Sequence, residues 1–174
     1  PDTEALVQAV LQQFDHEQQL RVLDLGTGTG AIALALASER PQWQVTGVDR
    51  VSEAVQLARL NAQNLNLARV EFIQSDWFNA LQQRKFELIV SNPPYIALDD
   101  PHLQQGDVRF EPLSALVSGA DGLDDIRQII AQAGAHLAQQ GWLFLEHGYQ
   151  QGKPVRELLQ QAGFTQVRSI EDLG

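Results

Sequence analysis

Apolar runs of strand length alternate with segments of helical spacing along most of the chain. Strands are predicted at residues 20–25, 44–49, 70–74, 86–91, 142–146 and 164–170. Helices are predicted for an opening segment that carries Leu6 and Val10, and for residues 31–38, 52–64, 123–139 and 155–162. This alternation predicts an α/β fold with a mostly parallel, doubly wound sheet of six strands, covered by helices on both faces.

One stretch breaks the alternation. Between Tyr95 and Leu123 the chain has no clean periodicity and contains several Asp, Pro and Gly residues. A connection of this length is uncommon inside a compact domain, and such a loop is usually functional or mobile.

A glycine-rich loop joins the first predicted strand to the helix after it. The loop follows Asp24-Leu25 and consists of Gly26, Thr27, Gly28, Thr29 and Gly30. Glycines let the backbone turn tightly and approach a ligand, and the amides of a helix N-terminus attract negative groups. Further along, Asp49 ends the second strand, where a carboxylate can accept hydrogen bonds from both hydroxyls of a ribose. Together they predict a site for a nucleoside-bearing ligand.

Two ligand classes fit this loop. Gly26, Gly28 and Ala31 satisfy the G-x-G-x-x-G/A spacing of dinucleotide-binding folds. The preceding acid, Asp24, and the third glycine, Gly30, instead fit the D-x-G-x-G-x-G loop of S-adenosyl-L-methionine enzymes. The local pattern favours S-adenosyl-L-methionine and leaves the dinucleotide open.

A second motif, Asn92-Pro93-Pro94-Tyr95, directly follows the fourth predicted strand. In a doubly wound sheet the carboxyl ends of the central strands border the ligand crevice. The prolines are rigid and lack an N–H, so their carbonyls remain available as acceptors. Asn92 adds a side-chain carbonyl and Tyr95 a ring that can stack on a planar group. We interpret the motif as a receptor for a planar amino group that is held for attack on a methyl group.

Charge and composition argue against several classes of partner. The chain has 12 basic and 22 acidic side chains, a net charge of −10, and no basic run. Proteins that grip a nucleic acid backbone usually cluster positive charge, so we expect no direct nucleic acid contact. The chain has no cysteine, and its histidines lack metal-ligand spacing, so no metal site is predicted. No apolar stretch approaches the ~20 residues of a membrane helix, so we expect no membrane partner.

The two motifs resemble those of class I S-adenosyl-L-methionine methyltransferases that act on planar amino groups. Further matches resemble the bacterial peptide chain release factor N(5)-glutamine methyltransferase family across essentially the whole chain: Pro1-Asp2-Thr3-Glu4, Ser75-Asp76-Trp77, Phe110-Glu111-Pro112 and Glu146-His147-Gly148. This resemblance implies a Rossmann-like, cytoplasmic enzyme. It would methylate the glutamine side-chain amide of the Gly-Gly-Gln motif in class I release factors, leaving S-adenosyl-L-homocysteine.

The resemblance also implies residue roles. The glycine loop and Asp49 hold the cofactor, Asp76 and Trp77 lie near its adenine, and Arg50 flanks it. The four residues from Asn92 to Tyr95 hold the glutamine, with Asn92 also near the cofactor, and Asn92, Pro93 and Tyr95 are the implied catalytic residues. The segment Phe110-Glu111-Pro112 shapes the substrate entrance.

The chain is shorter than the family pattern. Family members carry an N-terminal helical domain before the Pro1 segment and a seventh strand after Gly174. Because the chain also has no methionine, we expect residues 1–174 to be a methyltransferase domain from a longer protein. The alternatives are methylation of an exocyclic amine of a nucleic acid base, a nicotinamide-dependent oxidoreductase, and a binding module without turnover.

Overall fold

The computed structural model describes residues 2–94, 119 and 121–170. Its strands are β1 (Arg21–Leu25), β2 (Gln44–Asp49), β3 (Glu71–Gln74), β4 (Phe86–Ser91) and β5 (Leu137–Leu145). Its helices are α1 (Asp2–Gln13), α2 (Ala31–Glu39), α3 (Ser52–Asn64), α4 (Asp124–Ala133) and α5 (Gly152–Gln161), with single 3-10 turns at Asn79–Leu81 and Gly134–His136. Within the described ranges no helix is long and apolar enough to cross a membrane.

The described residues divide into two compact units. The first contains residues 2–92 and 133–146, and the second contains residues 93–94, 119, 121–132 and 147–170. The first unit holds the five-stranded sheet, in the order β3-β2-β1-β4-β5, and every pairing is parallel. The predicted α/β class is therefore confirmed.

The core of the first unit lies around the central strands. In β1 and β4 the apolar side chains of Val22, Leu23, Leu88 and Ile89 are fully buried, as strands covered on both faces require. Helix α2 is apolar nearly all round and is buried along most of its length. Helix α3 instead buries one stripe, formed by small and β-branched residues at helical spacing: Val55, Ala58 and Ala62.

The strand order places a ligand crevice. After β1 the chain passes to β2 and β3 on one side, and then returns to β4 on the other side. In such sheets, ligands bind outside the carboxyl ends of the strands where the order reverses. Those ends are Leu25 of β1 and Ser91 of β4, which are the strand ends that carry the two sequence motifs.

The predicted sixth strand is wrong for the described residues. Residues 164–170 form no strand, and Gln166 has a φ of 55°. This left-handed conformation interrupts the extended backbone that a strand requires.

The predicted helix at 123–139 and strand at 142–146 have different bounds in the structure. Helix α4 ends at Ala133, and Gly134 then begins a 3-10 turn, since glycine is a poor helix former. Strand β5 starts earlier, pairing Leu137 with Phe86, but its register shifts before Trp142 pairs with Leu88. The regular part of β5 is therefore the part that the sequence predicted.

Candidate active site

The carboxyl ends of the strands in the first unit are tied to one another by hydrogen bonds. The Ser91 hydroxyl, fully buried, donates to the Leu25 carbonyl over 2.8 Å. The Ser75 backbone N–H donates to the Asp49 carbonyl over 2.9 Å. These bonds link β4 to β1 and the end of β3 to β2, so the residues that follow each strand start from fixed positions.

The glycine loop is folded tightly against β2. The Thr27 N–H donates to the Val48 carbonyl and the Gly30 N–H donates to the Thr27 carbonyl, each over 2.8 Å. Gly30 has a φ of 86°, and a Cβ added to it would lie 3.0 Å from the Phe72 ring and 3.1 Å from the Ala58 methyl. Both the backbone conformation and the space at this position therefore require glycine.

Asp49 at the end of β2 holds the loop from the other side. One carboxylate oxygen accepts the Gly28 N–H over 2.9 Å, and the other accepts the Val51 N–H over 3.0 Å. The side chain is half-buried. Each carboxylate oxygen can accept a further hydrogen bond, so Asp49 retains acceptor capacity for a pair of ligand hydroxyls.

A second carboxyl group, Asp24, lies beneath the loop. Its Oδ2 accepts a hydrogen bond of 2.8 Å from the Thr27 hydroxyl, and the residue is 1% exposed. Burial raises the pKa of Asp24 to about 7, although the hydrogen bond from Thr27 opposes the shift. Sequence reasoning used Asp24 only to recognise the loop, but in the structure it also fixes the loop's conformation.

Asn61 of α3 supports the same loop and was missed from the sequence. Its side-chain amide donates to the Thr29 carbonyl over 2.9 Å. The two residues are 32 positions apart, and Asn61 belongs to no motif. Only the packing of α3 beside the loop brings them together.

The predicted adenine-side residues follow β3. Trp77 is half-buried, and a Cβ added to Gly26 would lie 3.3 Å from its ring. The backbone of Trp77 has a φ of 48°, an uncommon conformation that often marks functional sites. Asp76 and Arg50 are exposed. Trp77 therefore lies against the loop at Gly26, and its role beside an adenine stays a prediction, as do those of Asp76 and Arg50.

Asn92 leaves β4 at the same edge of the sheet and is exposed, whereas Pro93 is buried and Pro94 is half-buried. Tyr95 and the segment Phe110-Glu111-Pro112 lie outside the described residues. The described part of the motif thus places a side-chain amide at the strand end next to β1.

The space beside the glycine loop suits S-adenosyl-L-methionine. At Gly28, which has a φ of 57°, nothing in the described part of the chain lies within 4 Å of an added Cβ. The backbone there faces open space, next to the acceptor oxygens of Asp49. An open glycine beside a carboxylate suits the ribose and amino-acid parts of this cofactor, so the donor set fits.

Among the described residues, Ser75, Ser91 and His136 make structural contacts. The Ser75 and Ser91 hydroxyls donate to the carbonyls of Trp77 and Leu25, as structural serines do. His136 is buried and stacks on Phe78 with ring centroids 4.6 Å apart. Among the described residues, no group of three or more metal-ligating side chains is placed to hold a metal ion.

The sheet order is that of a Rossmann-like fold, and the family model that matches the chain makes it a class I methyltransferase domain. The chain is similar in fold to the crystal structure of a ribosomal protein L11 methylase from Lactobacillus delbrueckii subsp. bulgaricus. That likeness has a TM-score of 0.69 at 19% identity and covers 98% of this chain and 72% of that one. The chain belongs to the methyltransferase small domain family, whose model matches residues 3–106.

Two curated relatives match the whole chain. A release factor glutamine methyltransferase from Pseudomonas aeruginosa is 63% identical over 174 residues, which are 100% of this chain and 63% of that protein. A protein of the same name from Escherichia coli strain K12 is 55% identical over 100% of this chain and 62% of its own length. The chain therefore spans less than two thirds of the length of these relatives.

Proposed function

We propose that this chain is the catalytic domain of an enzyme that methylates release factors. It would transfer a methyl group from S-adenosyl-L-methionine to the glutamine amide nitrogen of the Gly-Gly-Gln motif in class I release factors. The observation that carries the proposal is the 63% identity, over all 174 residues, to a release factor glutamine methyltransferase. The corresponding location is the cytoplasm, where release factors act.

The cofactor half of the proposed site is the loop from Gly26 to Gly30 with Asp49. S-adenosyl-L-methionine, when bound, supplies an electrophilic methyl group. Asp49 would accept hydrogen bonds from the ribose hydroxyls, and the open backbone at Gly28 would lie along the amino-acid part. Trp77 would cover the adenine, with Asp76 and Arg50 beside it. The loop's bonds to Asp24 and Asn61 support this assignment because they fix its shape before any ligand binds.

The substrate half is the motif from Asn92 to Tyr95. An amide nitrogen is a poor nucleophile because its lone pair is delocalised into the carbonyl. The Asn92 Oδ1 and the Pro93 carbonyl would each accept one amide N–H, which favours positive charge on the nitrogen during attack. Pro94 would keep the segment rigid and Tyr95 would stack on the amide plane. The nitrogen loses its proton to water afterwards, so this role requires no general base.

The family match favours methyl transfer over nicotinamide chemistry. Methylation of a nucleic acid base would use the same receptor for a planar amino group, but it requires a flipped base and backbone contacts. Release factor is the better substrate for a chain with a net charge of −10, which repels a phosphate backbone. We further propose that residues 1–174 correspond to the methyltransferase domain of the longer relatives.

Mass spectrometry distinguishes these substrates. The chain is incubated with S-adenosyl-L-methionine and, separately, with a class I release factor, ribosomal RNA or DNA. We expect one added methyl group on the glutamine of Gly-Gly-Gln, and none on a release factor in which that glutamine is alanine. Methylation of nucleic acid with no methylation of release factor would refute the proposal.

A further inference from the structure

A half-open cavity of about 380 Å³ lies at the amino-terminal edge of the sheet in the first unit. Its wall includes the first residues of three neighbouring strands, Arg21, Gln44 and Glu71. At a rise of about 3.3 Å per residue, the length of β1 puts this edge roughly 15 Å from the glycine loop. The cavity is therefore separate from the proposed methyl-transfer site.

Positive charge is concentrated in this cavity. Four of the twelve basic side chains line it, namely Arg21, Arg69, Arg84 and Lys85. Glu71 is the one acid in its described lining. The parallel strands and the turns before them bring these residues together from distant parts of the sequence. A local excess of cations is unexpected in a chain with a net charge of −10.

Two of these cations are already neutralised. Arg21 forms an ion pair with Glu87, and Arg84 forms one with Glu71 over 3.0 Å. Arg84 also donates to the Thr46 hydroxyl over 3.2 Å. Both pairs are partly exposed to solvent, and pairs of this kind contribute little to stability.

The other two cations keep their charge. The Arg69 guanidinium donates to two neutral acceptors, the carbonyls of Ala37 over 2.7 Å and of Trp43 over 3.4 Å. These bonds fix its position without cancelling its charge. Lys85 is exposed, and within the described ranges it forms no ion pair with a carboxylate. The cavity therefore has two positive charges that no described carboxylate neutralises, and both can face an anion.

We propose that this cavity binds the phosphate groups of a small, nucleotide-sized ligand. Both groups bind phosphate, the guanidinium through paired N–H donors and the ammonium group as a point charge. The side chains of Gln42 and Gln44 also line the cavity and supply neutral hydrogen-bond donors and acceptors for the rest of the ligand.

The size of the cavity favours a small ligand over a nucleic acid strand. A volume of about 380 Å³ lies within the range of small-molecule sites. A long polyanion would continue past the cavity onto the surface of a strongly acidic chain. One or two phosphates would stay inside it, and other charges are screened beyond about 8 Å at physiological ionic strength.

Titration with pyrophosphate and with uridine 5′-diphosphate tests the proposal. The chain is kept saturated with S-adenosyl-L-homocysteine, so that the nucleoside site at the glycine loop is blocked. Binding is measured by calorimetry, and nuclear magnetic resonance follows the side-chain amides of Gln42 and Gln44. We expect pyrophosphate and uridine 5′-diphosphate each to bind and to shift these amide signals. Uridine without phosphate should leave them unchanged.

The two lysines of the chain provide a matched pair of variants. Lys85→Glu should weaken pyrophosphate binding by roughly tenfold or more, since it loses a hydrogen bond between charged groups. Lys153→Glu changes the net charge equally at an exposed residue of α5 and should leave binding unchanged. Equal losses in both variants, or no binding of either phosphate at millimolar concentration, would overturn the proposal. Tighter binding of a uridine oligonucleotide than of uridine 5′-diphosphate would also overturn it, in favour of RNA.

Discussion

The two edges of one parallel sheet use different charged side chains. At the carboxyl edge, Asp24 and Asp49 accept hydrogen bonds from the hydroxyl and the backbone of the glycine loop. At the amino edge, the cavity is lined by four cations, and the acceptors of Arg69 among the described residues are backbone carbonyls. Acids thus organise a loop at one edge, while bases surround a cavity at the other.

This difference follows from the direction of the strands. Helices begin at the carboxyl edge in βα units, so backbone N–H groups there need acceptors. Asp49 accepts the N–H groups of Gly28 and Val51, which precede α2 and α3. At the amino edge the helices end, so carbonyl groups need donors, and Arg69 satisfies the carbonyl of Ala37 in the last turns of α2. The same backbone therefore selects a different type of side chain at each edge.

Substitution of Gly30 should have the largest effect on the carboxyl edge. Gly30→Ala should lower the free energy of unfolding by about 3 kcal/mol. The alanine would adopt a left-handed backbone conformation, and its Cβ would make a tight contact with Phe72 and Ala58. Urea denaturation measures this change.

Gly28→Ala is the matched control for Gly30→Ala. Its φ is also positive, but the added Cβ meets no described atom within 4 Å. It should cost about 1 kcal/mol while weakening S-adenosyl-L-methionine binding, because the methyl group enters the open space. Equal destabilisation by the two variants would contradict the packing that we describe.

Removal of a carboxylate from each edge sharpens the comparison. Asp49→Ala should weaken S-adenosyl-L-methionine binding by roughly a hundredfold, because two hydrogen bonds to a charged acceptor are lost. Glu71→Ala removes an exposed carboxylate at the amino edge, where it accepts from Thr46 and Arg84, and should leave this affinity unchanged. Calorimetry on both variants is the measurement, and a comparable loss for Glu71→Ala would refute the separation of the edges.

The pH dependence of stability should report the buried carboxyl of Asp24. Its pKa is raised from 3.8 to about 7, so between these values the folded chain binds more protons than the unfolded chain. The contribution of Asp24 to the free energy of unfolding is therefore fully present below pH 3.8 and is lost as the pH rises through about 7. Asp24→Asn carries no charge and should not show this loss.

Urea denaturation of wild type and Asp24→Asn at pH 5 and pH 8 measures the difference. We expect the variant to gain stability relative to wild type at the higher pH. Other titrating groups cancel because they are common to both chains. A constant difference at the two pH values would mean that Asp24 does not titrate in this range.

The smallest effect is expected at Asn61. Asn61→Ala leaves the Thr29 carbonyl without its donor and should cost about 1 kcal/mol of stability, with a few-fold loss of cofactor affinity. Asn64→Ala, on an exposed residue at the end of the same helix, should change neither quantity. Identical effects of the two variants would show that the bond to Thr29 has no role in the loop.

The sequence predicted the parts of the fold and the site that depend on local pattern. The first four strands were correct within one residue at each end, because continuous apolar runs mark buried parallel strands. The glycine loop and Asp49 were predicted from their spacing and are in contact in the structure. Their roles toward a ligand stay predictions, as does the role of Asn92.

Features that depend on tertiary packing could not be predicted in this way. Asn61 meets Thr29 only because α3 packs beside the loop. The absence of a basic run in the sequence hid the cationic cavity, because parallel strands bring Arg21 and Arg84 to one edge from separate segments. The register shift in β5 was also invisible, since the sequence does not specify which residues pair.

The central claim is that Asn92 holds the substrate amide, and the methyl-transfer rate of the Asn92→Ala variant tests it most directly. Asn79→Ala, at an exposed residue that follows β3, is the control. Single-turnover transfer to a class I release factor is measured by mass spectrometry, together with S-adenosyl-L-methionine affinity and the urea midpoint. We predict that Asn92→Ala slows transfer roughly a hundredfold with little change in stability, while Asn79→Ala transfers at the wild-type rate. Wild-type transfer by Asn92→Ala would contradict the account.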